Sequence, residues 1–198
     1  EGYQPLTVHL VVAEAEAVPG TSGRPFGCGD LLVPVQTVPT DTEDEADAAL
    51  DFLFADERGW HGDPSLWNAV FDARETLTPT GHRREGDVEI FTFTGTVTPE
   101  DDCTAERIRA QLQATAAAFT SAGQVRLEVD GRDLDDVLGL EPLRLGESVD
   151  VPQGDPTPSG EPSDGSGEQT WAPEGESSWG PAEPTQGTWS PAQEPSAP

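Results

Sequence analysis

Apolar and polar positions along this chain follow two rhythms. Leu6 to Val12 is apolar and β-branched, the pattern of a strand. Pro19 to Gly23 carries turn chemistry and leads through Phe26-Gly27-Cys28-Gly29-Asp30 into a second apolar run, Leu31 to Val35. Pro34 within that run has no N–H to give and so predicts an edge position. The period then lengthens to that of a helix. Thr42 offers an N-cap with Glu45 three residues on as its reciprocal partner, and Ala46, Ala49, Leu50 and Leu53 form the buried stripe. After the loop from Gly59 to Pro64, Ser65 can cap a short turn through Leu66, Trp67 and Val70.

In the second half, Arg84-Glu85-Gly86-Asp87 predicts a hairpin turn feeding Val88 to Val97, where Ile, Phe and Thr alternate with period two. Asp102 or Thr104 can open a second helix whose apolar face is Ile108, Leu112, Ala116 and Phe119, with Gly123 as its stop. Val125, Leu127 and Val129 alternate as a last strand, Asp130-Gly131 turns the chain, and Leu134, Val137 and Leu138 make a short apolar turn. Strand, strand, helix, hairpin, helix, strand is an α+β order. It predicts a small mixed or antiparallel sheet with two helices packed on one face.

The pattern stops near residue 145. No basic residue follows Arg144, and Pro, Gly, Ser and Glu dominate to the end. Such a segment cannot bury enough apolar surface to offset the entropy of ordering it. The expectation is therefore one domain over residues 1–145 and a disordered acidic tail over 146–198. Within the tail, Trp171-Ala172-Pro173, Trp179-Gly180-Pro181 and Trp189-Ser190-Pro191 form a loose repeat. It reads either as low-complexity sequence or as short motifs that dock on a partner's aromatic groove.

Charge narrows the choice of partner. The 198 residues hold 38 acidic side chains against 10 basic ones, all arginine, for a net charge of −28. That excess argues against nucleic acid, whose phosphates need a basic face, and against an anionic membrane surface. No apolar run is long enough to cross a bilayer. Glu1 is not an initiator methionine, so a processed or trimmed chain is expected, with a signal peptide or a lipid anchor as candidates for what preceded it.

Cys28 and Cys103 are the only cysteines. An even pair, far apart and without a metal-binding spacing, suits one disulfide in an oxidising compartment. The alternative is two buried thiols in a cytosolic protein. Neither cysteine has a Cys or His at ligand spacing, so no metal site and no cofactor are expected.

The ordered set of motifs resembles a known family. Gly27-Cys28-Gly29-Asp30-Leu31-Leu32-Val33-Pro34-Val35, followed by a helix ending Ala49-Leu50-Asp51-Phe52-Leu53, is similar to the opening of a sporulation and spore germination domain of the GerMN type. Ser65 to Val70, Gly86-Asp87-Val88 with Thr94-Gly95-Thr96, Cys103 with Gln111, Thr115 and Phe119, and Val125 to Gly131 resemble later segments in the same order. The likeness covers residues 6 to about 140. It implies an α+β fold in a bacterial envelope or extracellular protein that acts as an interaction or assembly module. No catalytic residues are attributed to such domains. The chain departs from the germination proteins in having one such domain rather than a tandem pair, and in its Trp-Pro tail.

The residues themselves offer little chemistry. His9 reads as a strand-face residue, and His61 and His82 fall in loops without shared ligand spacing. There is no strained serine turn and no phosphate-cradling glycine loop, and Gly27 and Gly29 read as backbone geometry. The acidic clusters at Asp41 to Asp47, Glu100 to Asp102 and Asp130 to Asp136 do not reproduce a calcium loop, and the first two sit where helix N-termini favour negative charge. Trp60, Trp67 and Asn68, in a loop region, are the candidate binding patch, with core packing as the competing role for the tryptophans. The expected function is non-enzymatic: an exported envelope module whose partner is an envelope protein, a cell-wall component or a second copy of itself. The alternative is a secreted glycan- or ligand-binding accessory domain using Trp60 and Trp67 as a stacking platform. An enzyme is the remaining class, and no base and nucleophile converge to support it.

Overall fold

The first sheet is built around β1 (Thr7–Ala13), whose apolar residues bury on both faces of the strand. β1 pairs antiparallel with β3 (Asp30–Gln36) along its whole length, from Thr7 opposite Gln36 to Ala13 opposite Asp30. β2 (Ser22–Phe26) lies outside β3, and β10 (Val149–Asp150) outside β2. On the other side of β1, β5 (Leu66–Trp67) meets it at Val11 opposite Trp67, and β4 (Trp60–His61) closes the order β10-β2-β3-β1-β5-β4. This is a computed structural model, and it describes residues 3–62 and 66–152.

The second sheet runs β6 (Leu77–Glu85), β7 (Val88–Gly95), β8 (Gln124–Val129), β9 (Arg132–Asp133). The β6–β7 hairpin turns at Gly86, where φ is +64°, as the sequence predicts. β7 and β8 are parallel, a pairing that needs a long crossover, and α2 (Asp102–Ala117) supplies it. Asp130 and Gly131, both at positive φ, make the two-residue turn into β9. α3 (Leu134–Leu138) follows directly.

Helix α1 (Glu45–Ala55) buries Ala46, Ala49, Leu50 and Leu53, the stripe that the periodicity marks. Its cap is Asp44, which accepts from the Asp47 N–H at 3.0 Å, while Thr42 hydrogen-bonds the Asp44 backbone one turn earlier. α2 is capped by Asp101 and buries Ile108, Leu112 and Ala116. It ends at Ala117, well before Gly123.

Among the described residues the edge of β1 at His9 has no strand beside it, and α2 takes that place. The His9 N–H donates to Thr115 Oγ1 at 3.0 Å, and the His9 carbonyl accepts from Gln111 Nε2 at 2.8 Å. Two polar residues on an otherwise apolar helix face thereby satisfy strand groups that burial would leave unpaired. Arg109, 3 % exposed, fixes the other flank of α2 by donating to Asp135 Oδ1 at 3.2 Å and to the Glu141 carbonyl. Leu143 and Leu145 then pack against the common core.

The α+β class is as expected, with three differences of detail. Strands form two sheets rather than one. β2 carries Gly23 and Pro25, which hide it from a propensity reading. Paired backbone also continues past residue 145: the Gly146 N–H donates to Pro25 O, and Val151 exchanges hydrogen bonds with Gly20 and Thr21. The expected boundary falls short because a two-residue strand depends on its partner and has no pattern of its own. Ser65, as a helix cap, and residues 153–198 of the tail lie outside the described residues.

Candidate functional site

Residues 59–62 and 66–68 and the N-terminal half of α2 meet at the β1 edge of the first sheet. Asn68 N–H donates to the Gly59 carbonyl at 2.7 Å, and Gly59 takes φ +71° with the Phe71 ring where a β-carbon would sit. Trp60 and Trp67 are cross-strand partners in the β4–β5 hairpin. Their rings lie 5.5 Å apart between centroids and 11° from parallel, an offset stack. Trp60 is 55 % exposed and Trp67 is half-buried.

Trp67 is held from α2 as well. The Arg107 guanidinium sits 4.9 Å from its ring centroid, within cation–π range. Arg107 Nε donates to Asp30 Oδ2 at 2.5 Å, and Asp30 is buried at the start of β3. Asp30 lies two residues after Cys28 and Arg107 four after Cys103, and these cysteines form the disulfide, with Cα atoms 5.8 Å apart. The disulfide pairing expected from the sequence is thus present. The turn Gly27–Gly29 carries Cys28 at φ +64° and Gly29 at +72°, and the Glu106 carboxylate fills the space beside Gly27 that a side chain would need. Covalent bond, ion pair and ring stack therefore run in series from the second strand-forming segment to the exposed indole.

Asn68 behaves otherwise. It is fully buried and cannot be part of a contact surface. Its Nδ2 donates to the Leu53 carbonyl at 2.8 Å and to Asp56 Oδ2 at 3.0 Å. Its Oδ1 accepts from the Val70 N–H and from Gln111 Nε2, each at 3.1 Å. Gln111 in turn accepts from the Ala69 N–H at 2.7 Å. Every polar atom of the Asn68 side chain is used, which makes it a joint between α1, the 66–70 segment and α2. The candidate patch is corrected to the two tryptophans, and a position in a loop did not reveal that Asn68 points inward.

Phe52, Asp56, Arg58 and His61 line an open depression of about 340 Å³, which neither tryptophan lines. His61 Nε2 lies 2.8 Å from Asp56 Oδ2. Burial works to raise the Asp56 pKa, but hydrogen bonds from His61, the Arg58 N–H and Asn68 outweigh it and hold the carboxyl below its ordinary value.

The other histidines are placed by tertiary structure alone. His82 lies in β6, not in a loop. Its Nδ1 is 3.0 Å from Asp47, and its Nε2 is 3.8 Å from Asp44 and 3.7 Å from Glu89. The Asp47 hydrogen bond raises its pKa, against burial and with help from the Asp44, Asp47 and Glu89 charges. Asp44, Asp47 and His82 form a cluster of metal-ligand type among the described residues, yet Asp44 already caps α1. His9 lines a separate cavity. No family model, no curated protein and no solved structure matches this chain.

Proposed function

We propose that the chain is a non-catalytic recognition module of an exported bacterial protein, presenting Trp60 to an envelope partner. The supporting observation is the geometry of that residue. An indole more than half exposed is backed by a parallel Trp67, itself braced by Arg107, so the exposed ring is held in place before anything binds. A pre-positioned aromatic loses little freedom on contact, which is why such residues anchor interfaces. The disulfide supports an oxidising compartment, and no helix among the described residues is long and apolar enough to cross a membrane. The resemblance to GerMN-type domains points the same way, towards an assembly module of the envelope, with a protein, a cell-wall component or a second copy as the partner.

A second reading has one observation in its favour. A flat indole, more than half exposed and backed by a parallel ring, is also a surface on which a sugar ring can stack. Capture from envelope extracts, run beside a glycan array, separates the two. Both use Trp60→Ala as the negative control. A protein partner that is retained equally by Trp60→Ala, with no glycan bound by either form, would refute the placement of the site.

A further inference from the structure

A cavity of about 790 Å³ lies between the first half of β1, the exposed flank of α2 and the segment around Leu143. It does not touch the tryptophan pair, and its composition is unlike that of the rest of the chain. Acidic residues are 38 of 198, roughly one in five, so a lining of fifteen residues would hold about three; this one holds none. The depressions elsewhere on the fold are lined with Asp133 and Asp135, or with Asp56 and Glu57. Two carboxylates outside the lining touch it and are engaged by it: the exposed Asp87 accepts from the Gly123 N–H at 3.0 Å and Glu89 from Thr120 Oγ1 at 3.1 Å.

The one charged residue in the lining is Arg24. Its Nε donates to the Gly146 carbonyl at 3.2 Å, and among the described residues no carboxylate lies within ion-pairing distance of it. Arg83, Arg84, Arg107, Arg109 and Arg126 are ion-paired, whereas Arg24 shares with Arg58, Arg74, Arg132 and Arg144 the lack of such a partner among the described residues; of these five it alone lines this cavity. In a chain of net charge −28, an exposed arginine in a lining without acidic residues is open to an anion from outside. His9 adds a second polar group. Its Nδ1 is buried without a hydrogen-bond partner among the described residues. Burial, and secondarily Arg24, lowers its pKa to about 4, so the ring is neutral at physiological pH and adds no charge to the lining. The rest of the wall is mixed: Ala114, Ala117, Ala118, Leu32, Leu143 and Leu145 give it an apolar side, and Thr7, Gln113, Thr120 and Gln124 an uncharged polar one.

We propose that this cavity binds an amphipathic carboxylic acid, its carboxylate on Arg24 and its acyl chain along the alanine flank of α2. The volume lies within the range of small-molecule sites. A wall with an apolar side, no acidic lining residue and one cation without a carboxylate partner favours a single negative charge at one end of a partly apolar body.

Calorimetric titration of the full chain tests this with three probes: decanoate, 1-decanol and the tripeptide tri-leucine. Decanoate is expected to bind saturably and more tightly than decanol. Arg24→Gln is expected to weaken decanoate by about tenfold or more, as loss of a charge-assisted contact does, and to leave decanol unchanged. Ala117→Trp, on an exposed helix position, is expected to block both with the melting temperature kept; should it fail to fold, Ala118→Leu serves the same purpose. Trp60→Ala is expected to bind decanoate normally, so this site and the tryptophan site stand or fall separately. Absence of saturable decanoate binding, equal binding by Arg24→Gln, or tri-leucine binding more tightly than decanoate would each overturn the assignment.

Discussion

Truncating Asn68 to alanine separates two roles that the sequence left together. The side chain makes four hydrogen bonds, two donated and two accepted, in a fully buried position. Asp56 keeps His61 and the Arg58 N–H when Asn68 is removed. The Leu53 carbonyl, the Val70 N–H and one Gln111 N–H lose this partner. Each buried group left unsatisfied costs about 1–3 kcal/mol, and relaxation recovers part of the sum, so Asn68→Ala is expected to lose about 3–4 kcal/mol of stability. Asn68→Asp keeps the volume but aims an oxygen at the Leu53 carbonyl and the Asp56 carboxylate, and is expected to lose at least as much. Urea denaturation followed by circular dichroism measures the difference, with an unchanged denaturant slope confirming a common unfolding transition. Hydrogen exchange at the Ala69 and Val70 amides should accelerate in the same variant. A loss below about 1 kcal/mol would refute the argument, because it would mean that the network tolerates an empty centre.

Three further outcomes follow from the same geometry. Trp60→Ala is expected to abolish partner capture while costing under about 1 kcal/mol, since more than half of the side chain is in water; a large drop in melting temperature would mark it as core. Replacing both cysteines by serine opens a loop with a sequence separation of 75 and is expected to cost about 4.5 kcal/mol in the chain-entropy account, read as a lower urea midpoint. The His82 pKa is raised above 6.5 in the folded state, so its stabilisation is fully present below 6.5 and is lost as pH rises through the folded value. The stability gap between wild type and His82→Gln should therefore be wider at about pH 5.5 than at about pH 9, and a gap that widens with pH would reverse the assignment.

Elements whose information is local were legible in the chain. The stripe Ala46, Ala49, Leu50 and Leu53 needed only the helical period, and it is the buried face of α1. The turns at Gly86 and at Asp130-Gly131 needed only residues that tolerate positive φ, and both are present. The cysteine pair needed only its count and isolation. Where the competing residue was also local, the reading slipped by little: Asp44 caps α1 in place of Thr42, because both are good acceptors and only the backbone path chooses between them.

The remainder belongs to the tertiary structure. β2, with Gly23 and Pro25, is a strand because β3 and β10 flank it, and β10 extends the fold past the point where composition changes. Asn68 and Gln111 look like polar surface residues in a one-dimensional reading. They are buried because α2 must satisfy a strand edge that has no neighbour. The Trp60–Trp67–Arg107–Asp30 series joins four segments, and His82 collects carboxylates from α1 and β7, with no spacing rule linking them. The carboxylate-free cavity around His9 and Arg24 shows the same limit. Charge is a property of the whole chain, but where it is absent is decided only when distant residues are folded onto one wall.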